Sequence, residues 1–210
     1  MPRGKSQLSL ERVLEGGIAL ADEVGIESFT IRRLADALGA SPMSVYHYVS
    51  SKDEIIDGMV DLVFSEIALP PEDVAWKEAI TVRCHSARSV LVRHPWAAPL
   101  MESRLVPGPA NLRHHEAVLA CLRRGLPLEM AAHAYAAIDA FVYGFAFQEA
   151  NLPIVDDPNL AAAMVDQFPA DLYPNLFELT KHHVMQPGYA FGDSFDVGLA
   201  LVLDGLEARA

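Results

Sequence analysis

The sequence predicts an all-α fold: a three-helix head followed by a larger helical body, about ten helices in all. Three observations lead there. Apolar residues recur at helical spacing, and no alternating apolar–polar run of strand length occurs. Hydroxyl residues and glycines stand where helices of that length would start and stop. Prolines are grouped: Pro42 is the only one between Pro2 and Pro70, Pro70-Pro71 mark a break, and Pro95, Pro99, Pro107, Pro109 and Pro127 cut up the middle. Proline stops or kinks a helix but is accepted in its first turn, so the proline-free runs 128–152 and 188–210 can each carry a long helix.

The first helix is expected over 8–24, with Leu10, Val13, Leu14, Ile18, Leu20 and Ala21 on its apolar face and Gly25 as its C-cap. Thr30 caps a second, in which Ile31, Leu34, Ala35 and Leu38 face inward and Gly39 ends the helix. Ser41 caps a third, short helix with Pro42 at its first position, running to 48. Ser50 or Ser51 caps the fourth, 52–69. In the body, helices follow over 73–94, 96–103, 108–125, 127–151, one or two within 159–185, and 192–208.

Residues 30–52 meet the joint requirements of a helix-turn-helix. Two closely crossing helices need a small residue at the contact, which is Ala35. The turn needs a residue that tolerates positive φ, and Gly39 stands four positions later. The second helix needs an apolar anchor, and Val45 stands six positions beyond the glycine. Such a unit lays its second helix in the DNA major groove. Pro42 and Met43 then offer apolar contact to a thymine methyl, and Ser44 and Tyr46 can hydrogen-bond to base or phosphate. His47, Tyr48 and Lys52 suit phosphates, and Arg32 can reach a guanine with a bidentate pair. Tyr48, three residues after Val45, is expected to pack partly inward.

The stretch FTIRRLADALGASPMSVYHYVSSKDEIIDGM resembles the DNA-binding head of the TetR family of bacterial repressors. The family pattern falls on Thr30, Arg32, Leu34, Ala35, Leu38, Gly39, Tyr46, Tyr48, Val49 and Lys52, with Ile55 where leucine is usual. The tail GDSFDVGLALVLDGLEA is similar to the closing helix of the tetracycline-repressor-like subgroup, while 70–190 match only in helical outline. The resemblance implies an all-α homodimer, one head per protomer, released from its operator by a small molecule. It also implies DNA contacts at Thr30, Arg32, Met43, Ser44, Tyr46, His47 and Lys52.

The net charge of −12 at first argues against a nucleic-acid partner, whose phosphates are neutralised by Lys and Arg. Residues 1–52, the expected DNA-binding domain, are neutral, with six basic and six acidic side chains. Residues 53–210, the expected effector-binding and dimerisation domain, carry ten basic and 22 acidic residues. A neutral head needs helix N-termini, neutral donors and a second copy of itself to hold DNA. The helices near 127–151 and 192–208 are the expected seam between copies. In the first, Ala132, Ala136, Ala140 and Gly144 form a stripe of small residues; in the second, Phe195, Leu199, Val202, Leu203 and Leu206 form an apolar one.

Within the body, Trp96, Met101, Phe141 and Tyr143 are candidate walls of a ligand pocket, which is mostly apolar with a few placed polar groups. His114, on one face with Val118 and Cys121, and His133, in an apolar helix, are candidate hydrogen-bond partners of an effector. Asp139, in the middle of AAIDAFVYGF, is costly to bury unpaired. It either lines a cavity or bonds an Arg or Tyr across the dimer seam.

Other classes fit less well. No GxSxG, Walker, Rossmann or metalloprotease motif occurs, so no enzyme is expected, and neither a cofactor nor a metal. A sequence-indifferent architectural DNA binder would need a large basic surface. Cys84 and Cys121 do not make a disulfide framework. No apolar segment follows the basic N-terminus, and no uninterrupted apolar stretch approaches bilayer length, so no membrane partner and a cytoplasmic location are expected.

Overall fold

The computed structural model describes residues 8–101, 103–152 and 169–209. Among these are ten α-helices and no strand. They are α1 (Leu10–Val24), α2 (Ile31–Ala37), α3 (Pro42–Tyr46), α4 (Lys52–Glu66), α5 (Trp76–Arg93), α6 (Ala98–Met101), α7 (Pro109–Leu122), α8 (Leu128–Asn151), α9 (Pro174–Leu179) and α10 (Ser194–Glu207). A π turn, Thr180–Val184, extends α9, and a 3₁₀ turn, Phe191–Asp193, leads into α10. The one or two helices expected within 159–185 lie partly outside the described residues.

Every helix of the head starts on a serine or threonine whose hydroxyl accepts an N–H of the first turn. Ser9 accepts from Arg12, Thr30 from Arg33, Ser41 from Ser44, and Ser51 from Glu54. Of the two serines eligible to cap α4, Ser51 takes the role, while Ser50 hydrogen-bonds the Glu54 carboxylate through both its N–H and its hydroxyl. Those bonds hold the Glu54 carboxyl below its usual range. Two of these helices, α3 and α4, end earlier than expected. In α3 the chain turns at His47, which lets Val49 enter the core. In α4 the backbone is already extended at Ile67, ahead of the Pro70-Pro71 pair, which disfavours helix in the residue before it.

Val13, Phe29, Leu34, Ala35, Val45, Ile55 and Met59 are fully buried and form the core of the head. The α1–α4 crossing is close enough that a Cβ on either facing glycine would force a neighbouring side chain to shift. A Cβ on Gly17 would lie 2.7 Å from the Met59 sulfur, and one on Gly58 would lie 2.7 Å from a Leu14 methyl. Helix α4 packs on α1 on one side and on α7 on the other, so it belongs to head and body alike.

In the body, α8 packs against α5, α6, α7 and α10. By length and composition α8 is apolar enough to cross a membrane, which the expectation based on uninterrupted apolar runs missed. It carries the buried Asp139 and helix neighbours on several sides, as suits a core helix. The apolar stripe of α10 corrects a second expectation. Phe195, Leu199 and Leu203 point into the chain's own core, where the Phe195 ring lies 5.1 Å from Phe145 and 5.4 Å from Phe141. The outward side of α10 carries Val197 and Leu201, 64% and 71% exposed.

Candidate nucleic-acid interface and buried polar cluster

The turn between α2 and α3 is closed by two backbone bonds, Gly39 N–H to the Asp36 carbonyl and Ala40 N–H to the Ala35 carbonyl. This pair is the Schellman arrangement, and it places Gly39 at φ 63°. A side chain there would cost about 1–2 kcal/mol. Ala35 and Val45, on the two helices the turn joins, are both fully buried.

With those anchors inside, the remaining side chains of α3 face out. Met43 is 69% and Tyr46 46% exposed, and Pro42 and His47 are exposed beside them. Ser44 is half-buried, its hydroxyl 2.9 Å from that of Ser41. Thr30 and Arg32 sit exposed at the start of α2, and Lys52 sits exposed at the start of α4, its ammonium 5.7 Å from the Phe29 ring centre. Arg33 folds back to donate to the Ser28 carbonyl, whereas Arg32 forms no ion pair among the described residues. Tyr48 donates its hydroxyl to the Leu8 carbonyl at 2.6 Å and so braces the end of α3 against the start of α1, but it stays 37% exposed rather than entering the core. All eight residues expected to touch DNA thus lie at the first turns of α2 and α4 or on α3 and its C-cap. Donor-rich helix N-termini suit phosphate oxygens.

A second polar site lies inside the body. Arg83, on α5, has no exposed surface. Its Nη1 donates to Asp139 Oδ1 at 2.7 Å, its Nε to His114 Nε2 at 3.1 Å, and its Nη2 to the Tyr143 hydroxyl at 3.4 Å. Burial opposes the guanidinium charge, but Asp139, Tyr143 and Cys84 outweigh it and hold Arg83 above its ordinary value. Arg83 is therefore charged and paired. Asp139 bonds an arginine of its own chain, one of the partner types expected, but inside the protomer.

His114 is the opposite case. Burial, then the Arg83 charge and His115, push its imidazole from 6.5 down to about 3. An imidazole neutral when folded but protonated when unfolded makes the unfolded state bind more protons between those two values. Stability should therefore rise with pH from about 3 to 6.5 and be lost as the pH falls through that window, by up to about 1.4 kcal/mol per unit. Urea unfolding of wild type should weaken by about 1.5 kcal/mol between pH 6.5 and pH 5 through this group, and His114→Gln should flatten that slope. Equal slopes in the two proteins would mean that His114 is not held neutral.

Three of the seven expected pocket residues, His114, Asp139 and Tyr143, come together here. The others do not join them through polar contacts. Trp96 donates its indole N–H to Asp22 of α1 at 2.7 Å, at the joint of head and body. Met101 is buried on α6, and Phe141 turns toward α10. His133 is exposed on the outer side of α8, because the core-facing turn there is taken by Ala131 and Ala134. Arg83 and Tyr135 were missed. Arg83 carries a legible signal: it falls on the apolar stripe Ala79, Ile80, Cys84, Ala87, where a charge needs a partner.

Comparison with known proteins agrees with both halves. Residues 13–59 match the bacterial regulatory proteins of the tetR family, and residues 69–210 match the tetracyclin repressor-like C-terminal domain. The chain is 32% identical to the HTH-type transcriptional repressor DrrR1 of Streptomyces coeruleorubidus, over 97% of this chain and 78% of that protein. It is also 32% identical to an HTH-type transcriptional regulator of Saccharopolyspora erythraea, over 99% of this chain and 88% of that one. Among solved structures, Streptomyces coelicolor ActR in complex with actinorhodin superposes with a TM-score of 0.78 at 27% identity, covering 98% of this chain and 99% of that one. The chain belongs to the TetR family of bacterial DNA-binding transcriptional regulators.

Proposed function

We propose that the protein is a homodimeric repressor, held on a palindromic operator by two heads and released when a small molecule enters the body. The division of labour falls near residue 52, with 1–52 reading DNA and 53–210 binding effector and partner. The site of action is the bacterial cytoplasm. The observation that carries this reading is the outer face of α8 and α10. Ala132, Ala136 and Ala140 are exposed in one stripe, a Cβ on Gly144 would meet nothing within 4 Å, and Val197 and Leu201 stand exposed on the adjoining helix. Small residues in a stripe let a second helix approach closely, and an apolar patch of that kind marks an interface. ActR, similar throughout, was solved with actinorhodin bound, which supports a ligand-responsive body.

A physical route links the two sites. Helix α7 carries His114 into the buried cluster, and its first turn donates to Asp61 of α4 through Ala110 N–H (3.3 Å) and Asn111 N–H (2.8 Å). Arg104, just before α7, pairs with Asp57 of the same helix. Helix α4 begins at Lys52, in the reading surface. A ligand that displaces α7 therefore moves the head through α4. A second tie, Asp22 to His94 (2.8 Å) and to Trp96, fixes α1 to the end of α5. Placing arginine at Ala136 and Leu201 together should yield a folded monomer by sedimentation and cost operator affinity at least about a hundredfold, since each head alone neutralises few phosphates. A variant that stays dimeric would overturn the assigned seam.

A further inference from the structure

Among the described residues, three buried side-chain atoms have no hydrogen-bond partner: His114 Nδ1, the Tyr135 hydroxyl and Asp139 Oδ2. A buried polar atom left unpaired costs more than an ordinary hydrogen bond returns, so each calls for a reason. The three belong to one cluster. Tyr135 and Asp139 lie one turn apart on α8. Asp139 and His114 are joined through Arg83. His115, next to His114, holds its ring 5.2 Å from that of Tyr135.

Their chemistry is complementary. Because Arg83 Nε–H donates to His114 Nε2, the neutral ring carries its proton on Nδ1, which is a donor. Asp139 Oδ2 is an acceptor, and the Tyr135 hydroxyl serves as either. The charges are already balanced, Arg83 against Asp139.

Resting on the effector-site reading above, we infer that this cluster recognises a neutral ligand bearing both a hydroxyl and a carbonyl, and rejects carboxylates and phosphates. The ligand hydroxyl donates to Asp139 Oδ2, and the carbonyl accepts from His114 Nδ1–H or Tyr135. An anion meets the free oxygen of Asp139 in a medium of low dielectric, while Arg83 is already committed to that carboxylate. Tyr135 is then a specificity-determining residue whose hydroxyl serves the ligand and not the fold.

Three matched probes test this: 6-hydroxy-2-acetonaphthone, 2-acetonaphthone without the hydroxyl, and 6-hydroxy-2-naphthoate with a carboxylate in place of the ketone. Calorimetry on the full-length dimer should show the hydroxyketone binding about tenfold or more tighter than either relative, the worth of one satisfied hydrogen bond. Tyr135→Phe should keep or raise the melting temperature and weaken the hydroxyketone about tenfold. A carboxylate that binds as well as the hydroxyketone, no binding by any probe, or unchanged affinity in Tyr135→Phe overturns the inference. Parallel titration of an operator complex separates the two readings. A carboxylate that binds and releases DNA keeps the effector reading and overturns the ligand class. A hydroxyketone that binds with the stated preference but releases no DNA does the reverse.

Discussion

Arg83→Met should cost about 3–5 kcal/mol of folding free energy, because it strands a buried carboxylate without its counter-charge. The side chain is fully buried and holds Asp139 at 2.7 Å, and His114 Nε2 loses its donor as well. Against a total stability of about 5–15 kcal/mol for a folded protein, that is a large fraction. Adding Asp139→Leu to the same chain should return most of the loss, since replacing both members of a buried pair by apolar groups is often neutral or stabilising. Urea unfolding of both proteins decides it. A double variant no more stable than the single would mean that Asp139 does not depend on Arg83. Such a recovery would mark the pair as a poor device for stability alone.

The second large effect concerns DNA. Tyr46→Ala should weaken operator binding severely while leaving the proposed dimer and its melting temperature nearly unchanged. Base contacts of this kind are worth about 1–3 kcal/mol each, and a dimer loses two, so the affinity should fall at least about thirtyfold. Tyr46 is 46% exposed and no part of the core, so truncation leaves no cavity. Val45→Ala is the internal control: its side chain is fully buried, and its loss should lower stability first. If Tyr46→Ala unfolds the head instead, Tyr46 belongs to the core and its assigned role is wrong.

The head was legible because its signals are local. Thr30, Ser41 and Ser51 cap helices through bonds three residues long, and the Gly39 turn closes within six residues. The body was less so, because its decisive contacts are distant in sequence. Arg83 and Asp139 are 56 positions apart, and Trp96 and Asp22 are 74 apart. Asp139 announced its need for a partner, but not which arginine would answer. The apolar stripe of α10 shows a different limit. Amphipathicity says that Phe195, Leu199 and Leu203 will be covered, but not whether the cover is the chain's own α8 or a second copy. Here it is the chain's own α8 and α5, and only the helix's other side stays exposed.

The central claim is that two copies of one neutral head, set apart by the body, read a two-fold symmetric operator. Selection of bound sequences from random duplex DNA tests it most directly. The expected product is an inverted repeat whose half-sites lie about one helical turn, roughly 34 Å, or a multiple of it apart. Recovery of a single unrepeated site, or of no preferred sequence, would contradict it.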